Sequence, residues 1–248
     1  MLIMPDPVKP FKVAIIRNLS LPGAGVDEII TSISMLVKKA AIYSEIDVFA
    51  PIDGGRFPDP RVYEFIILTG GIVDLTLAPE QLPAWVRKTI CFIQDLVEND
   101  FPVKVLGLCW GHQIIQQALG AEVVLNNEGT LIGVQNIKLN SSGQSFFNMS
   151  DKCAIHKFHK RRIAAPAPKF LPLAENNEIL ISESCKILSF QGHPELNDSI
   201  GKELLLRGDR TYLQGKSPEE VKALVDSTQV PHDGQVMFAN VMEWAISV

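Results

Sequence analysis

The chain has 248 residues, of which 46% are hydrophobic and 21% are charged, and its formal net charge is −5. This composition is typical of a globular protein and excludes disordered and collagen-like chains. A mildly acidic chain lacks the basic surface that binds nucleic acid or an anionic membrane, and no run approaches the roughly 18 apolar residues of a membrane helix, so we expect neither partner.

The first 120 residues alternate between short apolar runs and amphipathic segments. Residues 1–10 lack the basic and apolar parts of a signal peptide, which predicts a cytoplasmic protein, with the nucleus as a possible further compartment.

The alternation of apolar runs and amphipathic segments over the first 120 residues is typical of a parallel sheet covered by helices on both faces. The predicted strands are 11–17, 45–51, 64–71 and 102–108, and the predicted helices are 25–40, 83–98 and 110–120.

Short strands with tight turns follow residue 120, and they indicate antiparallel additions to the same sheet or a small flanking sheet. These strands are 121–127, 131–140, 170–175, 178–184 and 186–192, and helices follow at 199–207, 217–227 and 235–246. The sequence therefore predicts one domain over residues 1–248, with a three-layer α/β fold, a mostly parallel doubly wound sheet and a helical extension from about residue 199. The basic run 156–162 is interpreted as a solvated loop in preference to a phosphate-binding patch.

Cys109 lies where a predicted buried strand meets a predicted helix. Gly107 and Gly111 flank it, and small residues are what a tight strand-to-helix turn requires. The helix directs the positive end of its dipole at the sulfur, which favours the thiolate. The N–H of Trp110, at the start of the helix, is free to donate to an oxyanion. These surroundings predict a nucleophile.

A buried, inert thiol is the alternative interpretation of any lone cysteine. We expect it for the three other cysteines, which have no comparable surroundings. They are Cys91, Cys153 and Cys185.

His193 and Glu195 are two residues apart at the end of a predicted strand, so their side chains project to one face. Their backbone separation is about 6.5 Å, which a glutamate spans. They match the base and the orienting acid that a cysteine nucleophile needs. A loop histidine beside an incidental acid is the alternative, but the presence of Cys109 favours a triad.

Gly70 and Gly71 end the predicted strand 64–71. Paired glycines at the carboxyl end of a parallel strand allow the backbone to approach a ligand closely. The N–H of Gly71 is placed to complete an oxyanion hole with that of Trp110. A simple strand-ending turn is the alternative.

Three motifs together resemble the class I, triad-type glutamine amidotransferase family. They are T-G-G at 69–71, G-L-C-W-G-H-Q at 107–113 and G-H-P-E at 192–195, and the resemblance extends from residue 11 to about 200. It implies that Cys109 forms a γ-glutamyl thioester as ammonia leaves, that His193 transfers the proton, and that Glu195 orients the histidine. Water then releases glutamate. The resemblance implies no cofactor and no metal.

The resemblance also assigns binding roles. Gly71 and Trp110 hold the oxyanion, and the γ-glutamyl substrate is bound with the help of Gly70, Gln113 and His159. His159 fits a histidine that a branch of the family follows with an acid, but Lys160 and Arg161 stand where that acid is expected. His156 is the second choice for this role, and His112 and His232 are expected at the surface. Trp110 is larger than the residue common at its position, which leaves the shape of the pocket open.

Amidotransferases usually pass ammonia to a synthetase domain, but the sequence has no GxxxxGK[ST] or GxGxxG motif for a nucleotide. Three hypotheses remain. The chain is a glutaminase that delivers ammonia to a synthetase partner, or a stand-alone hydrolase similar to γ-glutamyl peptidases that act on glutathione-like compounds. The third is a catalytically idle regulatory or binding protein, which the presence of all three triad residues disfavours. The helical tail after F-Q-G-H-P-E favours the stand-alone branch.

Overall fold

The computed structural model describes residues 9–20 and 25–247. In chain order its strands are β1 Phe11–Asn18, β2 Ser44–Phe49, β3 Phe65–Gly71, β4 Lys104–Leu108, β5 Val123–Leu125, β6 Leu131–Lys138, β7 Lys152–His159, β8 Arg161–Ile163, β9 Phe170–Pro172, β10 Ile179–Ser182 and β11 Ile187–Phe190. Its helices are α1 Val26–Ala40, α2 Ala84–Glu98, α3 Trp110–Ala118, α4 Ser141–Phe147, α5 Asp198–Arg207, α6 Pro218–Ser227 and α7 Gly234–Ile246.

A seven-stranded sheet in the order β2-β1-β3-β4-β11-β10-β9 forms the centre. The pairs from β2 through β11 are parallel, and β10 and β9 add antiparallel strands. The predicted fold class is therefore confirmed. Both alternatives for the later strands also occur, because β6 pairs with β7 and β5 with β8 in two small antiparallel sheets outside the main one.

Both faces of the sheet are covered, as the continuous apolar strands require. Val13 and Ile15 of β1 face a core that includes α1 and α7, whereas Ala14 and Ile16 face a core that includes α2 and α3. The last helix is a full part of the first core, since the side chains at its centre are completely buried. These are Met237, Phe238, Val241 and Met242.

The basic run 156–162 is not a solvated loop, so that interpretation is wrong. It forms the end of β7 and most of β8. Lys157 is only 5% exposed because its ammonium pairs with the carboxylate of the buried Glu178. The short helix α4 was not predicted either.

Two predictions concern the ends and organisation of the chain. The exclusion of a signal peptide concerns residues 1–10, of which 1–8 lie outside the described residues, and a single domain stays a prediction. Among the described residues, no helix has the length and apolarity needed to cross a membrane.

Candidate active site

Cys109 occupies the sharp turn between β4 and α3. Its φ of 50° and ψ of −99° are unusual for a residue with a side chain, and such strain is concentrated at functional turns. The flanking glycines make the turn possible. A Cβ on Gly107 would lie 2.7 Å from the carbonyl oxygen of Gly111, and a Cβ on Gly111 would overlap the carbonyl of Leu68 in β3. The predicted elbow is therefore present.

His193 and Glu195 lie in the segment that follows β11. The Nδ1 of His193 is 2.7 Å from Oε1 of Glu195, and both side chains are buried. The backbone N–H of His193 donates to the carbonyl of His156 at 2.8 Å, which fixes the segment against β7. Gly70 leaves room at the centre, since a Cβ there would lie 3.2 Å from Cε1 of His193 and 3.9 Å from Cβ of Cys109. The structure thus brings the three predicted catalytic residues together.

The electrostatics of this cluster favour a charged imidazole. Burial alone lowers the pKa of His193, but the charges of Glu195 and Cys109, and the hydrogen bonds to both, outweigh it and raise the pKa to about 10. Near neutral pH His193 therefore carries a proton that it can give away.

Gly71 and Trp110 lie beside Cys109 as predicted. As the first residue of α3, Trp110 has no earlier carbonyl in its helix to accept its N–H. Its indole points away from the sulfur, where Nε1 donates to the carbonyl of Val73 at 3.0 Å and the ring packs on Trp85 with centroids 5.2 Å apart. The large side chain therefore lies in the core and lines neither of the two cavities at Cys109.

Gln113 and His159 both line a small cavity next to Cys109. The amide nitrogen of Gln113 donates to the carbonyl of Arg161 at 3.0 Å and to Oε1 of Gln191 at 3.1 Å. Nδ1 of His159 lies 2.8 Å from the same Arg161 carbonyl, while its Nε2 is buried and has no hydrogen-bond partner in the described part of the chain. Burial lowers the pKa of His159 to about 3, so the ring is neutral.

The small cavity has a volume of about 50 Å³, and three charged residues that belong to ion pairs, Lys160, Arg161 and Asp209, line it. Nε of Arg161 is 2.7 Å from Oδ1 of Asp74, and Nζ of Lys160 is 2.7 Å from Oδ2 of Asp209. Each pair is partly buried. Both signs of charge therefore lie close to Cys109, within reach of a zwitterionic ligand.

A second cavity of about 550 Å³ also opens onto Cys109 and His193. Apolar side chains form most of its wall, including Leu19, Val26, Ile29, Ile52, Phe158 and Leu204. This volume lies within the range of about 300–1,000 Å³ for sites that bind drug-sized ligands. The arrangement provides a polar cavity on one side of the sulfur and a larger apolar one beside it.

Several predictions about other residues change. His112 was expected at the surface, but it is completely buried, and His232 is only partly exposed. His156 is also fully buried and lines neither cavity. Among the cysteines expected to be buried, Cys91 and Cys185 are exposed because they lie on the outer side of α2 and in a turn, and Cys153 alone is buried.

Four residues at the site were not predicted. Nε2 of Gln191 lies 3.9 Å from Sγ of Cys109, and Tyr212 lines both cavities while its hydroxyl donates to the carbonyl of Phe158 at 3.2 Å. The other two are the acids of the ion pairs, Asp74 and Asp209. Gln191 adjoins the G-H-P-E motif and could have been found from that position, whereas the two acids carry no local signal.

Sequence comparison shows the family of the chain. The family model for glutamine amidotransferase class-I matches residues 56–209, and the chain belongs to that family. Members of this family are typically hydrolases or amidotransferases.

Similar proteins extend over most of the chain. The glutamine amidotransferase-like protein chry6 of Gibberella zeae is 36% identical over 235 residues, which is 95% of each chain. Gamma-glutamyl peptidase 2 of Arabidopsis thaliana is 27% identical over 202 residues, or 75% of this chain and 78% of the relative. A solved glutamine amidotransferase structure from Thermotoga maritima has a TM-score of 0.75 at 19% identity and covers 97% of this chain and 100% of its own, which shows a shared fold.

Proposed function

We propose that this chain hydrolyses a γ-glutamyl amide bond through a thioester on Cys109. The observation that carries the proposal is the convergence of Cys109 on its strained turn with the buried pair of His193 and Glu195, whose Nδ1 and Oε1 are 2.7 Å apart. A nucleophile, a base and an orienting acid in this order are the minimum for acyl transfer to a cysteine.

The reaction runs in two halves. Sγ of Cys109 attacks the γ-carbonyl carbon, and the oxyanion that forms accepts hydrogen bonds from the N–H groups of Gly71 and Trp110. The carbon–nitrogen bond then breaks as His193 gives its proton to the leaving amine. In the second half His193 takes a proton from water, the hydroxide attacks the thioester carbon, and glutamate leaves as Cys109 is restored.

The charge state of His193 suits the first half. Although burial opposes it, the neighbouring charges hold the pKa of His193 at about 10, so the proton needed by the leaving amine is already present at neutral pH. Glu195 keeps the ring oriented and balances its charge.

The small cavity suits the α-amino acid end of a γ-glutamyl group. Arg161 and Lys160 would attract its carboxylate, and Asp209, which also lines the cavity, would attract its ammonium. The basic residues at positions 160 and 161 therefore do not exclude recognition of the ammonium by an acid, because Asp209 supplies that acid from a distant segment.

The larger cavity favours a γ-glutamyl peptidase over a glutaminase. Ammonia needs no apolar space, whereas a volume of about 550 Å³ beside Cys109 accommodates an amine with a sizeable substituent, as in glutathione-like compounds. The relatives named gamma-glutamyl peptidase support the same choice. A glutaminase that feeds a synthetase partner, and an idle binding protein, are the competing hypotheses.

The test measures glutamate released by the purified chain from glutamine and from a γ-glutamyl dipeptide. We expect turnover of the dipeptide, and we expect Cys109→Ser to lower it by about 10³-fold or more. Cys91→Ser, which changes an exposed thiol, serves as the matched control and should leave turnover unchanged.

The other hypotheses give different results. Turnover of glutamine that begins only when cell extract is added would indicate a synthetase partner. Equal turnover by wild type and Cys109→Ser would refute the thioester. Inactivity on every substrate, with or without extract, would leave the idle binding protein.

A further inference from the structure

We propose that His156, Asp198 and His232 bind one first-row transition-metal ion, and that zinc fits them best. The three residues come from β7, from the first turn of α5 and from the segment just before α7. One ligand atom from each lies within 4.8 Å of the other two. Imidazole nitrogen and carboxylate oxygen are ordinary ligands of zinc, and three protein ligands with one open position make a common zinc site.

His156 is the residue that most needs an additional partner. It is fully buried, yet neither ring nitrogen has a hydrogen-bond partner among the described residues. Buried polar groups are rarely left in this state, because the loss of hydration is not compensated. The ring is also held in place, since a Cβ on Gly201 of α5 would lie 2.9 Å from its Cε1. In the neutral ring one nitrogen carries a lone pair that it can donate to a metal ion.

His232 and Asp198 complete the site from the solvent side. The two imidazole rings meet edge to face with centroids 4.5 Å apart, and Nε2 of His232 is 3.9 Å from Oδ1 of Asp198. Nδ1 of His232 accepts the N–H of Gly234 at 3.1 Å. When Nε2 binds a metal ion, the ring proton moves to Nδ1 and this hydrogen bond is given up. The side chain of Asp198 is 57% exposed, so the ion can enter from water and keep a water ligand.

The position of the site defines what metal binding would do. It would join α5 and the start of α7 to β7, three segments that are far apart in the sequence. The carbonyl of His156 accepts the N–H of His193 at 2.8 Å, and Leu204 and Arg207 of α5 line the larger cavity. The metal would therefore stabilise a wall of the active site without taking part in the reaction, and the inference does not depend on the proposed function.

The test uses the purified full chain after treatment with a chelator. Titration with zinc chloride should give one bound ion per chain, and zinc at a hundredfold excess over Kd should raise Tm by about 5–10 °C. Cobalt(II) at the same site should give a visible spectrum without the near-ultraviolet band of a thiolate ligand. Failure of the wild-type chain to bind zinc would overturn the inference.

Variants separate this site from the other place where zinc can bind, the thiolate of Cys109 with His193. We expect His232→Gln and Asp198→Asn to lose the bound ion and the rise in Tm, whereas Cys109→Ser and the surface control Asp226→Asn keep both. Asp198 is exposed, so its variant tests the site even if His232→Gln fails to fold. Loss in Cys109→Ser with retention in Asp198→Asn would overturn the inference.

Discussion

Glu195 is a buried carboxylate whose Oε1 is 2.7 Å from Nδ1 of His193, while no group within residues 9–20 and 25–247 donates a hydrogen bond to its Oε2. We predict that Glu195→Gln lowers kcat by roughly 10²- to 10⁴-fold, because an amide can donate to Nδ1 and so favour the wrong tautomer. Burial lowers the pKa of His193, and the charge of Glu195 raises it. Because the variant removes that charge, it should also lower the pKa on which activity depends. Steady-state kinetics across pH measure both effects.

The matched control for this change is Glu183→Gln, which alters an exposed acid in the turn between β10 and β11. It should leave kcat and the pH profile as in wild type. If Glu195→Gln retains wild-type kcat, Glu195 does not orient the histidine and the proposed triad is wrong.

At the scale of single residues, local motifs predicted that Cys109, His193 and Glu195 meet. A glycine-flanked turn holds the cysteine, and the histidine and the acid are two residues apart, although that pair lies beyond the end of β11 and not on a strand. The motifs could not locate Asp74 or Asp209. Asp74 reaches the site only through Arg161, and Asp209 lines both cavities but lies 49 residues beyond its partner Lys160, so no local pattern records either pairing. The environment of His112 was missed for the same reason.

At the scale of elements, the contact between α3 and β3 sets the position of Cys109. A Cβ on Gly111 would lie 3.0 Å from Cβ of Leu68 and would overlap its carbonyl. We predict that Gly111→Ala pushes α3 away from β3, lowers the free energy of unfolding by about 1–3 kcal/mol, and slows alkylation of Cys109. Denaturant titration measures the first effect, and mass spectrometry after iodoacetamide treatment measures the second, with exposed Cys91 and Cys185 as internal references.

The control is Gly54→Ala, where no atom of the residues that the structure describes lies within 4 Å of the added Cβ. Its φ of 84° makes an alanine strained, so some stability is lost, but alkylation of Cys109 should be unchanged. Unchanged alkylation in Gly111→Ala as well would show that the contact does not position the cysteine.

The sequence predicted the elements in which the apolar residues form a clear pattern, either a continuous run or one side of a helix. The elements that it missed have no such pattern. β1, β3 and β4 are continuous apolar runs, and α1 and α2 have one apolar side. β7 ends in the basic run. The burial of Lys157 in it depends on a partner 21 residues further along the chain, Glu178, so the sequence alone favoured a solvated position. α4 contains weak helix formers such as Ser141 and Gly143, and its only signal is Asn140, whose side chain accepts the N–H of Gly143.

At the scale of the whole molecule, the burial of polar rings makes folding sensitive to acid. Burial lowers the pKa of His112, His156 and His159 to about 3, well below the usual value of 6.5. Below pH 6.5 these histidines therefore bind protons in the unfolded chain but not in the folded chain. His193 acts in the opposite direction, because its pKa is raised to about 10 despite its burial, so its contribution is complete below pH 6.5 and is lost as the pH rises toward 10.

We therefore predict that the free energy of unfolding decreases as pH falls from 6.5 to 4.5, with a slope that approaches about 1.4 kcal/mol per pH unit for each of these three histidines. The pH range ends above the region in which Asp74 titrates, because the pKa of Asp74 is about 2. Burial raises this pKa, but the hydrogen bonds to Arg161 and Thr76 lower it by a larger amount. His112→Asn should remove one histidine's share of the slope, since Asn keeps a polar atom near Ser189 but does not titrate. Denaturant titrations at four pH values measure the slope. Ile115→Val, in the same buried helix, should lower stability equally at every pH, and an unchanged slope in His112→Asn would contradict the prediction.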